Sequence, residues 1–193
     1  MTKIPFIIAL CGVKRSGKDT FVNLIDNLYP DYFVHRKIST QLKQIIKIMF
    51  SFSDEQIEAA PKDDIDPNWQ ISPRDAMQFI GTDMMQMSIA SKWSHIGRKF
   101  WIMNFIKTLP HNKPIIISDL RFLHEYEELL KITDNLHIIK IQRNNNITNE
   151  QHLSETELNM IPYNTLISNI GTVDELEQKV KQLGSQLKLT TRV

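Results

Sequence analysis

Cysteine is all but missing from this chain: Cys11 stands alone among 193 residues. No internal disulfide can form, which excludes a disulfide-stapled secreted scaffold, and one cysteine with scattered histidines offers no zinc-binding spacing. Charge of one sign is missing as well. Lysines and arginines number 23 against 22 acids, a formal net charge of +1, so no basic field exists to hold nucleic acid or an anionic membrane by bulk electrostatics. Near the N-terminus the apolar run after Pro5 lasts about six residues before Lys14-Arg15-Ser16, too short for a membrane span or a typical secretory signal core. Internal repeats and dividing linkers are absent. These absences predict a soluble, cytoplasmic protein without nucleic-acid or membrane partners, folded as one domain over 1–193. What is present is apolar content: 41% of residues, enough for a real core.

The apolar residues fall into short runs and helical stripes. Phe6 to Leu10 has the β-branched and aromatic content of a buried strand. Gly12 and Gly17 follow, and Phe21, Leu24, Ile25 and Leu28 then recur at helical spacing. Tyr32-Phe33-Val34 reads as a second strand, and Gln41 to Phe50 as a helix with Leu42, Ile45, Ile46 and Met49 on one stripe. Residues 51–72, polar and containing Pro61 and Pro67, read as a short helix and then a mobile loop. Ser72 and Pro73 open a further helix, and Phe100 to Leu109 predicts another. Pro114 to Ser118 is the clearest strand, followed by a helix over 123–132, a strand over 136–142, a polar stretch to Met160 and a short strand over 165–168. Thr172 with Glu175 makes a capping-box pattern for the last helix. Strands alternating with helices predict an α/β domain with a mainly parallel five-stranded sheet. Ligands of such sheets bind at the carboxyl ends of the strands. Gly12–Thr20, Ser118–Arg121 and Arg143 onward all fall there.

Gly12-Val13-Lys14-Arg15-Ser16-Gly17-Lys18 has the spacing G-x-x-x-x-G-K, between a strand and a helix. Glycines let backbone N–H groups curl around a phosphate, the lysine reaches the outer phosphates, and the helix N-terminus adds partial positive charge. Lys14 and Arg15 lie inside the loop and either add charge or face solvent. The position after the lysine usually carries Ser or Thr as a magnesium ligand. Here it is Asp19, with Thr20 next; its carboxylate can meet Mg²⁺ directly or through water, or stabilise the helix end by charge.

The string from Cys11 to Thr20 resembles the phosphate loop of phage-type deoxynucleoside monophosphate kinases, which also have Asp-Thr after the lysine. Pro73 to Asp83 is similar to that family's Arg-x-x-x-Gln-x-x-Gly-Thr-Asp/Glu helix, with Phe100-Trp101 matching its downstream aromatic-Trp pair. Ser118 to Glu125 resembles its Asp-x-Arg-Phe-x-x-Glu segment. Fainter echoes are 151–155 and 168–172. The match runs in order from the first strand to the last helix. It departs at Met84-Met85-Gln86-Met87, where family members often have an arginine; Arg98 or Lys99 is the residue to supply that charge, or the contact is absent.

The resemblance implies a P-loop kinase fold with a mobile lid over 143–160 and a substrate-side loop over 51–72, and an enzyme using ATP and Mg²⁺. Lys18 then serves the β- and γ-phosphates with the loop amides from Val13 to Thr20. Asp119 holds magnesium through water or assists the acceptor's attack. Arg121 clamps the acceptor phosphate, since guanidinium forks match phosphate geometry; the plain alternative is an Asp–Arg surface pair. Arg74 and Gln78, four apart on one helix, face the acceptor nucleotide, or form a solvated helix face. Lys43 lies near where nucleotide kinases bind their acceptor. Arg143 resembles a lid arginine, or is a solvated strand end, and a lone His152 is more simply a surface residue. Met77, Met84, Met85 and Met87 are most simply packing. The family is dimeric in phage, which implies a homodimer, and a viral source would make the compartment the host cytoplasm. The competing readings are a phosphomevalonate kinase of the animal type, whose loop is also Ser-Gly-Lys-Asp, and a nucleotide-binding regulator without turnover.

Overall fold

A computed structural model describes residues 3–58, 60–143 and 157–189. The chain divides into two compact units, one made of Met1–Lys37 with Pro110–Val193 and the other of Ile38–Leu109.

The first unit is built on a five-stranded sheet in the order β2-β3-β1-β4-β5, with every pair of neighbours parallel. The strands are β1 (Ile7–Cys11), β2 (Val34–Arg36), β3 (Ile115–Ile117), β4 (Leu136–Gln142) and β5 (Thr165–Ser168). Central β1 is buried along its whole length, which is why its sequence is continuously apolar rather than alternating. Its side chains still divide by parity: Ile8 and Leu10 join Phe21 and Ile25 of α1 (Lys18–Leu28) and Leu176, Val180 and Leu183 of the C-terminal helix (Val173–Gln186) in one core. Burying each such side chain is worth roughly 1.5–3 kcal/mol. That last helix starts where the capping box predicts, with Thr172 accepting from the Glu175 amide. The helix over Leu123–Ile132 and strands β4 and β5 have the expected bounds.

Strand β2 does not. Tyr32-Phe33-Val34 reads as the strand, yet pairing runs over Val34–Arg36, with His35 opposite Ile116. Tyr32 and Phe33 are used in ring contacts instead, Phe33 with Phe6 at 5.9 Å and Tyr32 with Phe33 at 4.8 Å. Val34 and the polar His35 and Arg36 after them carry the ladder, which brings Lys37 to the strand's carboxyl end.

The second unit is helical: α2 (Thr40–Phe50), α3 (Asp54–Glu58), a 3₁₀ turn (Ala60–Asp63), α4 (Pro73–Gln78), a π-helical stretch (Phe79–Ser88), α5 (Ile89–Lys92), a 3₁₀ turn (Gly97–Lys99) and α6 (Phe100–Lys107). Ile46, Phe52, Ile57, Ala76 and Ile80 form its core. Ser72 caps α4 in a full capping box with Asp75. The expected loop after α3 is tied by Asp66, whose carboxylate accepts from the Asn68 and Trp69 amides and from Gln56. Sequence periodicity gives no sign of the π-helical widening after α4. Gly81 lies in it: the buried Trp101 indole N–H donates to the Gly81 carbonyl at 2.8 Å. A Cβ at Gly81 would come within 2.6 Å of Leu42. The Gly-Thr-Asp element thus packs through an absent side chain. The four methionines divide: Met77, Met84 and Met85 pack against the unit's core, while Met87 is exposed.

Candidate functional site

The first unit brings the Gly12–Lys18 loop and the carboxyl ends of β2, β3, β4 and β5 to the same edge of the sheet. Between β1 and α1 the backbone takes positive φ at Gly12 (150°), Arg15 (63°) and Gly17 (102°). Both glycines are needed for space as well as conformation. A Cβ at Gly12 would sit 2.4 Å from the Ile141 carbonyl oxygen, and one at Gly17 would sit 2.2 Å from Asn169 Nδ2. The Lys18 ammonium turns back across the loop and donates to the carbonyls of Gly12 (2.6 Å) and Val13 (2.8 Å) and to Ser16 Oγ (3.3 Å). Nitrogen donors and one lysine thus concentrate positive charge at a helix N-terminus, an arrangement suited to phosphate.

Three residues that sequence reasoning left without a role brace this edge. Asn169, directly after β5 and 9% exposed, donates from Nδ2 to the Ser16 carbonyl at 2.9 Å. Its backbone N–H donates to Gln142 at the end of β4 at 2.7 Å. Lys37, one residue past β2, pairs with Asp19 at 2.8 Å. Burial tends to raise the Asp19 pKa, but the Lys37 ammonium outweighs it and holds the carboxyl below its usual range. Glu125 is 5% exposed and accepts from the backbone N–H groups of Arg121 (2.9 Å) and Phe122 (3.1 Å). Burial pushes its pKa up to about 8, with nearby Asp119 adding to the rise against the backbone bonds that lower it. The carboxyl-end rule that pointed to Ser118 and Arg143 applies equally to Asn169 and could have found it, whereas Lys37 came to a strand end only through the shift of β2 to Val34–Arg36. Nothing in the sequence marks Glu125 as buried.

Asp119 is half-buried and Arg121 exposed, on either side of Leu120. Ser118 Oγ lies 2.8 Å from His35 Nε2; burial and the Lys37 charge hold that imidazole below its ordinary pKa, favouring the neutral ring. Cys11, at the end of β1, is pushed up to about 11 by burial and stays a thiol. Arg143, exposed, directly follows β4. His152 and most of the expected lid lie outside the described residues.

Lys43, Arg74 and Gln78 belong to the second unit. There Lys43 pairs with Glu58 at 2.5 Å and Arg74 with Asp63, so both cations meet acids of the 51–72 segment. Gln78 ends α4, half-buried. Arg98 and Lys99 lie half-buried on the 3₁₀ turn before α6.

Among the described residues no three His, Cys, Asp or Glu side chains cluster as a metal site. The single carboxylates of Asp19 and Asp119 suit an ion that keeps its waters and binds through one or two carboxylates plus substrate phosphates, as Mg²⁺ does. No helix among the described residues is long and apolar enough to cross a membrane.

The deoxynucleotide monophosphate kinase family matches the chain over residues 35–180. Among solved structures, a sugar kinase from Janibacter sp. HTCC2649 is similar at 11% identity and TM-score 0.46, covering 96% of each chain. A gluconokinase from Sinorhizobium meliloti 1021 is similar at 11% identity and TM-score 0.46, over 98% of this chain and 99% of the other. A dephospho-CoA kinase from Campylobacter jejuni is similar at 14% identity and TM-score 0.45, over 94% and 96%. Comparison with curated proteins gives no match.

Proposed function

The chain belongs to the deoxynucleotide monophosphate kinase family, and on that premise we propose that it transfers the γ-phosphoryl group of Mg-ATP to a deoxynucleoside monophosphate, giving the diphosphate and ADP. The observation that carries this reading is the convergence of the Gly12–Lys18 loop with Asp119 and Arg121 at one edge of one sheet. The family match begins at residue 35, so the loop supports the reading independently.

An oxygen of the acceptor phosphate attacks the γ-phosphorus while the bond to the bridging oxygen breaks and ADP leaves. Such a reaction needs positioning and charge neutralisation more than covalent help. Loop amides from Val13 to Thr20 bind the donor phosphates, with Lys14 and Arg15 beside them. Lys18 moves from the loop carbonyls to the β- and γ-phosphates, where it stabilises charge on the transferring group. Asp19 and Asp119 are the side chains that would hold Mg²⁺, which as part of Mg-ATP would neutralise phosphate charge. Arg121 clamps the acceptor phosphate with its planar fork. Lys43, Arg74 and Gln78 bind the acceptor nucleotide, Arg74 toward phosphate and Gln78 toward the base. Arg143 joins the transferring phosphate from a lid that excludes water, since water would otherwise consume ATP. The cytoplasm as compartment and a homodimer as assembly complete the proposal.

With Mg-ATP, at least one of dTMP, dGMP or dCMP should be converted to its diphosphate faster than the matching ribonucleotide. Lys18→Ala should lower kcat by about a hundredfold or more, the scale for losing a positioned charge-stabilising donor. Turnover of phosphomevalonate with no turnover of any monophosphate would overturn the reading.

A further inference from the structure

Residues 118–122 lead from β3 to the next helix, and along them buried and more exposed side chains alternate. Ser118, Leu120 and Phe122 are buried, Asp119 is half-buried and Arg121 is exposed. Phe122 keeps extended angles, φ −118° and ψ 145°, immediately before the helix over Leu123–Ile132. Every second residue is therefore an anchor, and the two between them present the groups assigned to magnesium and the acceptor phosphate.

The backbone anchors come from different elements. The Ser118 amide donates to Arg36 at the end of β2 at 3.4 Å, and the Leu120 amide to Leu10 in β1 at 3.2 Å. The next two amides, those of Arg121 and Phe122, have turned away from the sheet. Both donate to a single oxygen, Glu125 Oε2, at 2.9 and 3.1 Å. A buried carboxyl one helical turn on thus does what the sheet does for Ser118 and Leu120. It fixes the peptide planes on both sides of the Arg121 Cα, and with them the direction in which the guanidinium leaves the backbone.

We propose that Glu125 is a positioning residue for phosphoryl transfer, holding the Asp119–Phe122 segment so that Arg121 meets the acceptor phosphate. The inference rests on the functional reading above. It assigns Glu125 no contact with either substrate; its action passes through two backbone amides. Because burial favours the neutral acid, the carboxamide of Gln is a close replacement: same shape, same accepting oxygen, no charge. Ala removes the acceptor and leaves two amides without their partner, a loss that falls on this segment first.

The test compares wild type, Glu125→Gln and Glu125→Ala in three measurements: hydrogen exchange of the Arg121 and Phe122 amides, equilibrium binding of ADP, and steady-state kinetics with the best monophosphate. Expected for Glu125→Ala are loss of protection at both amides, a rise of tenfold or more in acceptor KM with a fall in kcat, and ADP affinity within about twofold of wild type. Glu125→Gln should restore protection and stay within about threefold of wild-type kinetics. If Glu125→Ala does not fold, Glu125→Gln decides alone: folded, protected and active supports the proposal. A folded Glu125→Gln protein that has lost activity overturns it. So does an unchanged acceptor KM in folded Glu125→Ala, or an equal loss of ADP and acceptor binding, the mark of a general structural role. Failure of wild type to phosphorylate any monophosphate is a separate result. It would strike the functional reading itself, while amide exchange still reports whether Glu125 holds the segment.

Discussion

Replacing Gly17 by alanine should damage the Gly12–Lys18 loop through two effects that can be measured apart. Gly17 has φ 102°, a conformation that costs a side-chain-bearing residue about 1–2 kcal/mol. The new methyl group would also fall 2.2 Å from Asn169 Nδ2. That amide could swing aside only by releasing the Ser16 carbonyl, a buried hydrogen bond worth about 1–1.5 kcal/mol. The expected total is about 2–3.5 kcal/mol. Gly97→Ala is the control: φ is 52° there and nothing lies within 4 Å of the added Cβ, so only the conformational cost of about 1–2 kcal/mol applies. Asn169→Ala should cost about 1–3 kcal/mol, by leaving the Ser16 carbonyl unpartnered. The double variant loses that bond once, not twice, so the two changes should fall short of additivity by about 1–1.5 kcal/mol. Urea unfolding of wild type and the four variants measures all of these. Additivity within about 0.3–0.5 kcal/mol would refute the contact between loop and Asn169, as would a Gly17→Ala cost no greater than that of Gly97→Ala.

Two further outcomes are expected. Asp19→Ala should raise the Mg²⁺ concentration for half-maximal rate at saturating ATP without weakening metal-free ATP binding. If Asp19 acts only as a helix-end charge, the magnesium curve will stay put and stability will fall by roughly 0.3–1 kcal/mol. Glu125 should make folding pH-dependent. Its pKa in the folded chain stands at about 8, so between the ordinary carboxylate range and that value the folded chain keeps a proton the unfolded chain gives up. Stability should therefore decline as pH rises through that window, by on the order of a few kcal/mol. Thermal unfolding across pH 4 to 9 should show a shallower decline in Glu125→Gln; an identical slope would mean that Glu125 titrates normally.

Local chemistry was enough to read much of this protein. The loop spacing from Gly12 to Lys18, the capping pair Thr172 and Glu175, and the isoleucine run at 115–117 each state their structure in a few adjacent residues. Steric freedom, cap geometry and apolar burial act at that range. The parallel sheet followed from strand and helix alternation, because parallel neighbours need a crossover. Strand order did not follow, nor did the shift of β2 to Val34–Arg36, which depends on where Tyr32 and Phe33 find aromatic partners. The π-helical stretch at 79–88 was illegible for the same reason: Trp101, twenty residues on, takes a carbonyl that local periodicity treats as part of an ordinary helix.

The same divide runs through the site. Residue type and spacing by themselves placed Lys18 at the junction of a glycine loop and a helix start, since a strand, two glycines and a helix start are all local. Asn169, 153 positions from Ser16, became a brace for that loop only when the sheet order set β5 beside β4 and β4 beside β1. Glu125 closes a segment that resembles a family motif, but its burial is not written there; only the packing around it removes water, so that its carboxyl binds two backbone amides and keeps its proton. Burial is a sum over distant parts of the chain, and for that reason the tertiary structure alone decided which polar residues stand in water and which hold the site in shape.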